Sequence, residues 1–115
     1  MSNIQGDNYR VWYEETNKTV HFEGTLRLGT VAEYSPIIQL LSNIANSPIN
    51  LVNLNFKSLY ALNSSGISML SKFIIDIRDK SKLQVIVKAS NNIPWQPKSL
   101  KNLQRLMPNI ILKYE

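Results

Sequence analysis

The sequence predicts an α/β fold: one mixed five-stranded sheet with amphipathic helices packed on it, in the element order β-β-α-β-α-β-α-β. Three observations carry this. The chain opens with two segments of apolar–polar alternation. Three segments of helical period follow, and short runs rich in branched residues lie between and after them. A hairpin followed by alternating helices and strands gives a sheet that is antiparallel at its start and parallel in its later part.

The elements follow in order. Residues 1–7 read as a short frayed tail of a single domain spanning 1–115. Tyr9, Val11 and Tyr13 alternate with Arg10, Trp12 and Glu14, and Thr16-Asn17-Lys18 turns the chain. Val20, Phe22, Leu26 and Leu28 then form the second strand of the hairpin, with Gly24 marking a bulge or a close backbone approach. Ser35 and Pro36 suit an N-cap and first helical position, and Ile37 to Ala45 supply a broad apolar face. The true start lies between Thr30 and Pro36, because Val31 and Tyr34 are placed to form a preceding turn. Ile49 to Phe56 is the run expected of a central strand covered on both faces. Ile67, Leu70, Phe73, Ile74 and Ile77 repeat at three and four, predicting a helix from about Ser65 to Lys80. Leu83–Ala89 reads as a strand, Gln96-Pro97 opens a third helix with Trp95 and Leu100 at the spacing of a hydrophobic staple, and Ile110–Tyr114 closes the sheet.

Composition removes several classes of function. The 115 residues are 43% hydrophobic and 18% charged, ordinary for a globular domain, and no apolar run approaches the ~18 residues of a membrane span. The N-terminal residues lack the basic start and apolar core of a signal peptide, so the expected location is cytoplasmic, without a membrane partner. With no cysteine there is no thiolate nucleophile, disulfide or thiolate metal site. His21, the one histidine, lies in a predicted strand with no triad or metal set around it, and a cross-strand role is expected. No carboxylates pair at a revealing spacing, and the glycines form no phosphate loop. The residues therefore point to a non-enzymatic protein without a cofactor or a bound metal.

Charge is uneven. Residues 1–57 hold four basic and five acidic residues, and residues 58–115 hold nine and three. A basic half suits a solvated face or an acidic partner. Nucleic acid is not the expected partner, because Trp12, Tyr13, Tyr60 and Trp95 are scattered over different elements. A weaker nucleic-acid reading would use Lys98, Lys101 and Arg105.

The stretch that gathers the remaining signals is Leu54 to Ile67. An apolar run ends, a short polar connection follows, and Asn63-Ser64-Ser65-Gly66 leads into a helix at the carboxyl end of the third predicted strand. A helix start offers unpaired N–H groups and the positive end of the dipole, and so suits an anion. A serine there is also an ordinary N-cap.

Asn63-Ser64-Ser65-Gly66-Ile67, preceded by Val52-Asn53-Leu54-Asn55-Phe56, resembles the signature of STAS domains (sulphate transporter and anti-sigma factor antagonist). Phe22-Glu23-Gly24-Thr25-Leu26 is similar to the family's second strand, and the element order agrees from Tyr9 to Tyr114. The resemblance implies a STAS-like fold and a divergent, single-domain antagonist-like regulator. In such antagonists the serine after the family aspartate, here Ser64, is phosphorylated by a partner anti-sigma factor kinase; Ser65 is the alternative acceptor. It further implies partner switching with an anti-sigma factor or related serine kinase, reversed by a phosphatase. The implied docking surface is Leu59, Tyr60, Asn63, Ser64, Ser65, Gly66, Ser68 and Lys72. A second reading is a binding module for a small anionic ligand or nucleotide at the same helix start, without phosphorylation. Two departures stand out. Asn63 puts an amide where the family has a carboxylate, and the sequence ends at Glu115 without the further terminal helix many antagonists carry.

Overall fold

The computed structural model describes residues 3–80 and 82–115; the part of the expected frayed tail at Met1 and Ser2 lies outside them. Six strands form one sheet in sequential order: β1 (Asn3–Gln5), β2 (Tyr9–Glu14), β3 (Thr19–Leu26), β4 (Leu51–Leu62), β5 (Gln84–Ala89) and β6 (Ile111–Tyr114). The α/β mixed sheet is as expected, with six strands rather than five. The additional one is β1: residues 3–5, read as tail, pair antiparallel with β2, Ile4 opposite Val11. Three residues with two polar side chains carry too little pattern to announce a strand, and the pairing edge of β2 supplies the rest.

β2 and β3 form the antiparallel hairpin, and β3, β4, β5 and β6 run parallel. Each parallel step moves to the next neighbour in one direction. Right-handed crossovers of that kind place their helices on one face. Burial agrees: Val11, Val20, Phe22, Val52, Leu54, Phe56, Val85 and Val87 are buried, while Trp12, His21, Asn53, Asn55, Ile86 and Lys88 between them are partly exposed. A sheet covered on one side only is what alternation predicts, so β4 is not the doubly covered strand expected from Ile49–Phe56.

The helices are α1 (Ser35–Ala45), α2 (Ser64–Lys80) and α3 (Gln96–Leu106). Before α1 stands a 3-10 turn, Val31–Tyr34, whose cap Thr30 accepts from the Glu33 N–H while Glu33 accepts from the Gly29 N–H. The predicted preceding turn is therefore present. Tyr34 is the α1 cap position, and Ser35 instead donates back to Ala32 O at 2.6 Å.

β4 departs most from the sequence expectation. Lys57–Leu62, expected to be a polar connection, continues the strand for six more residues. Its buried residues are Val52, Leu54, Phe56, Leu59 and Leu62, so the period changes from two to three. Two register shifts against β3 account for this: His21 pairs with Asn55 and Glu23 with Ser58, then Gly24 with Leu59 and Thr25 with Ala61. Each inserts one extra β4 residue, as in a bulge. Asn55 braces the first, its Oδ1 accepting the Lys57 N–H at 3.0 Å. Gly24 lies between the shifts at φ +89°, and a Cβ there would meet Asn8 O at 2.2 Å. The glycine thus serves a close approach at an irregular position.

Beyond Asn55, β4 has outrun β5. The start of α3 covers the free edge instead. Trp95 Nε1 donates to Leu59 O at 2.8 Å, and Gln96 Nε2 donates to Phe56 O at 2.6 Å and Leu59 O at 3.0 Å. Gln96 is fully buried, and its Oε1 accepts the Ser90 N–H. A buried amide is tolerated because both its ends are bonded. The Trp95 indole packs edge-on to Phe56 and occupies the cap position of α3 itself, one residue later than a staple requires.

Candidate functional site

β4 delivers the chain to Asn63, and α2 begins at Ser64. The cap is Asn63 rather than a serine. Its Oδ1 accepts the Gly66 N–H at 3.0 Å, and its backbone carbonyl accepts the Ile67 N–H at 3.0 Å. This is the N-cap arrangement, in which a short side chain satisfies an N–H that the helix cannot.

Asn63 also ties the loop to the body of the protein. Its Oδ1 accepts from the Tyr34 hydroxyl at 2.7 Å, and its Nδ2 donates to Leu28 O at 2.7 Å. Its backbone N–H donates to Leu26 O. The amide orientation follows from its partners: Gly66 N–H can only donate and Leu28 C=O can only accept. A carboxylate could not make the bond to Leu28. The Asn63 amide is therefore a structural latch, with both ends committed.

Tyr34 is fully buried, and burial raises its hydroxyl pKa above the ordinary tyrosine value. It stays a neutral donor at physiological pH. Gly66 is buried against the same cluster: an added Cβ would fall 2.2 Å from Leu62 Cδ1 and 2.8 Å from the Tyr34 hydroxyl oxygen. The helix start can seat on Tyr34 only because position 66 has no side chain.

With the cap supplied by Asn63, the two serines are released from that role. Ser64 is exposed and Ser65 half-buried, and neither hydroxyl has a hydrogen-bond partner among the described residues. Ser64 therefore presents its Oγ to solvent at the first position of α2, on a backbone fixed from three sides. Ser68 and Lys72 are exposed one and two turns further along. Tyr60 is 65% exposed.

Leu59 is a correction. It is fully buried, so it cannot lie on an exposed surface. The bulges turn it into the core and leave its neighbour Tyr60 outside. Gly66, likewise buried, shapes the loop from beneath. Of the expected surface, Tyr60, Ser64, Ser68 and Lys72 are exposed and Asn63 and Ser65 partly so. Sequence reading missed Tyr34, whose one signal was its place beside a helix start. It also missed the backbone carbonyls of Leu26 and Leu28, which no sequence signal could mark.

His21 lies on the open sheet face, away from the loop. Its Nε2 is 2.9 Å from Glu14 Oε1, its Nδ1 3.1 Å from Asn55 Nδ2, and its ring stacks on Trp12. Asn55 Oδ1 is committed to Lys57 N–H, so Asn55 Nδ2 donates and Nδ1 accepts. The imidazole is thus a cross-strand brace, as expected. Among the described residues no group of three or more histidine, aspartate or glutamate side chains is placed to hold a metal ion, and no helix is long and apolar enough to cross a membrane.

No protein-family model matches the chain, and no curated protein sequence matches it. Solved structures do. SiaC of Pseudomonas aeruginosa superposes with a TM-score of 0.72 at 12% identity, over 100% of this chain and 98% of that one. Apo-SiaC from the same organism gives 0.74 at 10% identity, over 100% and 99%. In the crystal structure of the diguanylate cyclase SiaD in complex with its activator SiaC, a chain covered over its whole length gives 0.68 at 9% identity. At such identities the likeness speaks for the fold. From end to end, this chain is folded like SiaC.

Proposed function

We propose that this chain is a non-enzymatic regulatory protein that acts by partner switching, with phosphorylation of Ser64 as its control. The observation that carries the reading is Ser64 itself: an exposed, unbonded hydroxyl at the first position of α2, on a loop that Asn63, Tyr34 and Gly66 hold rigid. A phosphoryl group adds about −1.5 to −2 charge. At a helix start it meets the positive dipole end and free N–H groups, so the domain accommodates it. A docked partner surface does not, and the complex parts without any large conformational change.

The partners in this reading are an anti-sigma factor or a related serine kinase, and a phosphatase. The likeness to SiaC supports a regulatory, protein-binding role, since that protein is an activator held in a complex with the cyclase SiaD. Asn63 is spent on structure and supplies no charge, so all acid–base chemistry of phosphoryl transfer falls to the kinase. Ser65, half-buried, is the second acceptor.

The test is phosphosite mapping on protein from its own cells, together with pull-downs using wild type, Ser64→Ala and Ser64→Asp. The alanine variant should retain the partner and the aspartate variant should lose it by tenfold or more. Equal retention by all three, with no phosphate on Ser64 or Ser65, removes the switch.

A further inference from the structure

The helices leave one face of the sheet open, and on it His21 is engaged at both ring nitrogens. Its register partners are Trp12 on β2 and Asn55 on β4. The imidazole stacks on Trp12, over whose ring Arg10 lies at 4.1 Å, and the His21 side chain is only 21% exposed. Nε2 lies 2.9 Å from Glu14 Oε1, and Glu14 Oε2 accepts in turn from Asn17 Nδ2. Nδ1 lies 3.1 Å from Asn55 Nδ2.

This chain of bonds has a fixed direction. The Lys57 N–H can only donate, and it donates to Asn55 Oδ1 at 3.0 Å. Asn55 Nδ2 is then a donor aimed at His21 Nδ1, so Nδ1 is the bare nitrogen and the ring proton sits on Nε2, toward Glu14. The arrangement is complete only with a neutral ring. A proton added at Nδ1 faces the Asn55 NH2, donor against donor. The amide can turn over to meet it with Oδ1, but that oxygen then leaves the Lys57 N–H. Lys57 lies inside the first register shift of β4, between the pairs His21–Asn55 and Glu23–Ser58. The bond that gives way is therefore the one that braces the bulge.

We propose that His21 is a proton-operated catch on the first bulge of β4. Neutral, it holds the Asn55 amide against the Lys57 N–H. Protonated, it draws the amide away and loosens the strand just before the buried Leu59 and the exposed Tyr60. Histidine changes charge between pH 5 and 8, so the catch turns within the physiological range. Alternation places these charged groups on the same face: Arg10 and Glu14 from β2, Glu23 from β3, Lys57 from β4, Lys88 from β5, and Lys113 with the following Glu115 from β6. Lys57 is paired with Glu115 at 2.9 Å, and Lys88 is the register partner of Asn55. Among them Glu14 alone is bonded to the imidazole, and its carboxylate accepts the Nε2 proton in both ring states. The catch goes beyond the switch at Ser64 and is independent of it.

The test is NMR on the full, isotope-labelled chain between pH 5 and 8. At the upper end the ring nitrogens should show the Nε2–H form, with Nδ1 bare. As His21 becomes protonated, the Lys57 N–H should lose about fivefold of its protection from hydrogen exchange, the equivalent of one hydrogen bond. Protection is taken relative to an unstructured chain at the same pH. Asn55→Asp supplies a second oxygen, so that one accepts from Lys57 and the other from Nδ1–H. In that variant the His21 midpoint should rise by about one pH unit or more, and Lys57 protection should no longer follow it. His21→Gln should keep Lys57 protection level across the range. An Nδ1–H ring at the upper pH, or wild-type Lys57 protection that ignores the His21 titration, overturns the catch. So does an Asn55→Asp midpoint at or below the wild-type value, or a loss of Lys57 protection in His21→Gln equal to that of wild type.

Discussion

Asn63→Ala is the sharpest probe of the loop. The substitution removes three side-chain hydrogen bonds: from the Gly66 N–H, from the Tyr34 hydroxyl and to Leu28 O. Loss of an N-cap costs about 1 kcal/mol. The Tyr34 hydroxyl is buried and falls back on Leu26 O at 3.3 Å, a poorer bond, for a further cost of about 1 kcal/mol. The Leu28 carbonyl lies nearer solvent and adds roughly 0.5–1 kcal/mol. The sum is about 3 kcal/mol, read as a fall in the urea midpoint of about 1–2 M at unchanged slope. Asn63→Asp keeps both accepted bonds, strengthened by charge at a helix start, and loses only the donation to Leu28. It should cost about 1 kcal/mol and fall between wild type and the alanine variant. A double-mutant cycle with Tyr34→Phe should give a coupling near 1 kcal/mol. An alanine variant within about 0.5 kcal/mol of wild type, or an aspartate variant less stable than alanine, refutes the latch.

Three other outcomes follow from the geometry. Gln96→Leu keeps the volume but strands the Ser90 N–H and Phe56 O, and should cost about 2–4 kcal/mol by chemical denaturation; a neutral result means the β4 edge is sealed otherwise. Gly24→Ala meets Asn8 O at a positive φ and should lower stability by about 2 kcal/mol or more, visible as a lower thermal midpoint. Stability should also fall in alkali. Burial raises the Tyr34 and Tyr13 hydroxyls, so above pH 10.0, their ordinary value, the unfolded chain releases protons that the fold retains. Denaturation midpoints should hold below that pH and drop as it rises toward the folded-state values, with a shallower drop in Tyr34→Phe.

Much of the scaffold was legible because it rests on local period. The hairpin, three helices and the parallel strands each announce themselves by alternation or by repeats at three and four. Gly24 announced a close approach by interrupting a strand. The serine-containing helix start was legible too, from the residues between an apolar run and a new period. Three features were not. β4 runs past the apolar run that ends at Phe56, because its two bulges shift the buried positions to a spacing of three, which in sequence no longer looks like a strand. The burial of Leu59 is hidden from the sequence for the same reason. β1 has three residues and no pattern of its own.

The division is physical. Side-chain periodicity, turn residues and glycine constraints act between near neighbours, so the chain alone determined which segments form which elements and which of their faces are apolar. Asn63 as latch, and Gln96 and Trp95 as substitutes for a missing strand, depend on partners 29 to 40 residues away. Those contacts exist only once the sheet has brought Leu28, Tyr34 and Asn63 together. The cap bond to Gly66 is local, but the tertiary structure decided that Tyr34 and Leu28 anchor the Asn63 amide in the capping position, which leaves Ser64 free.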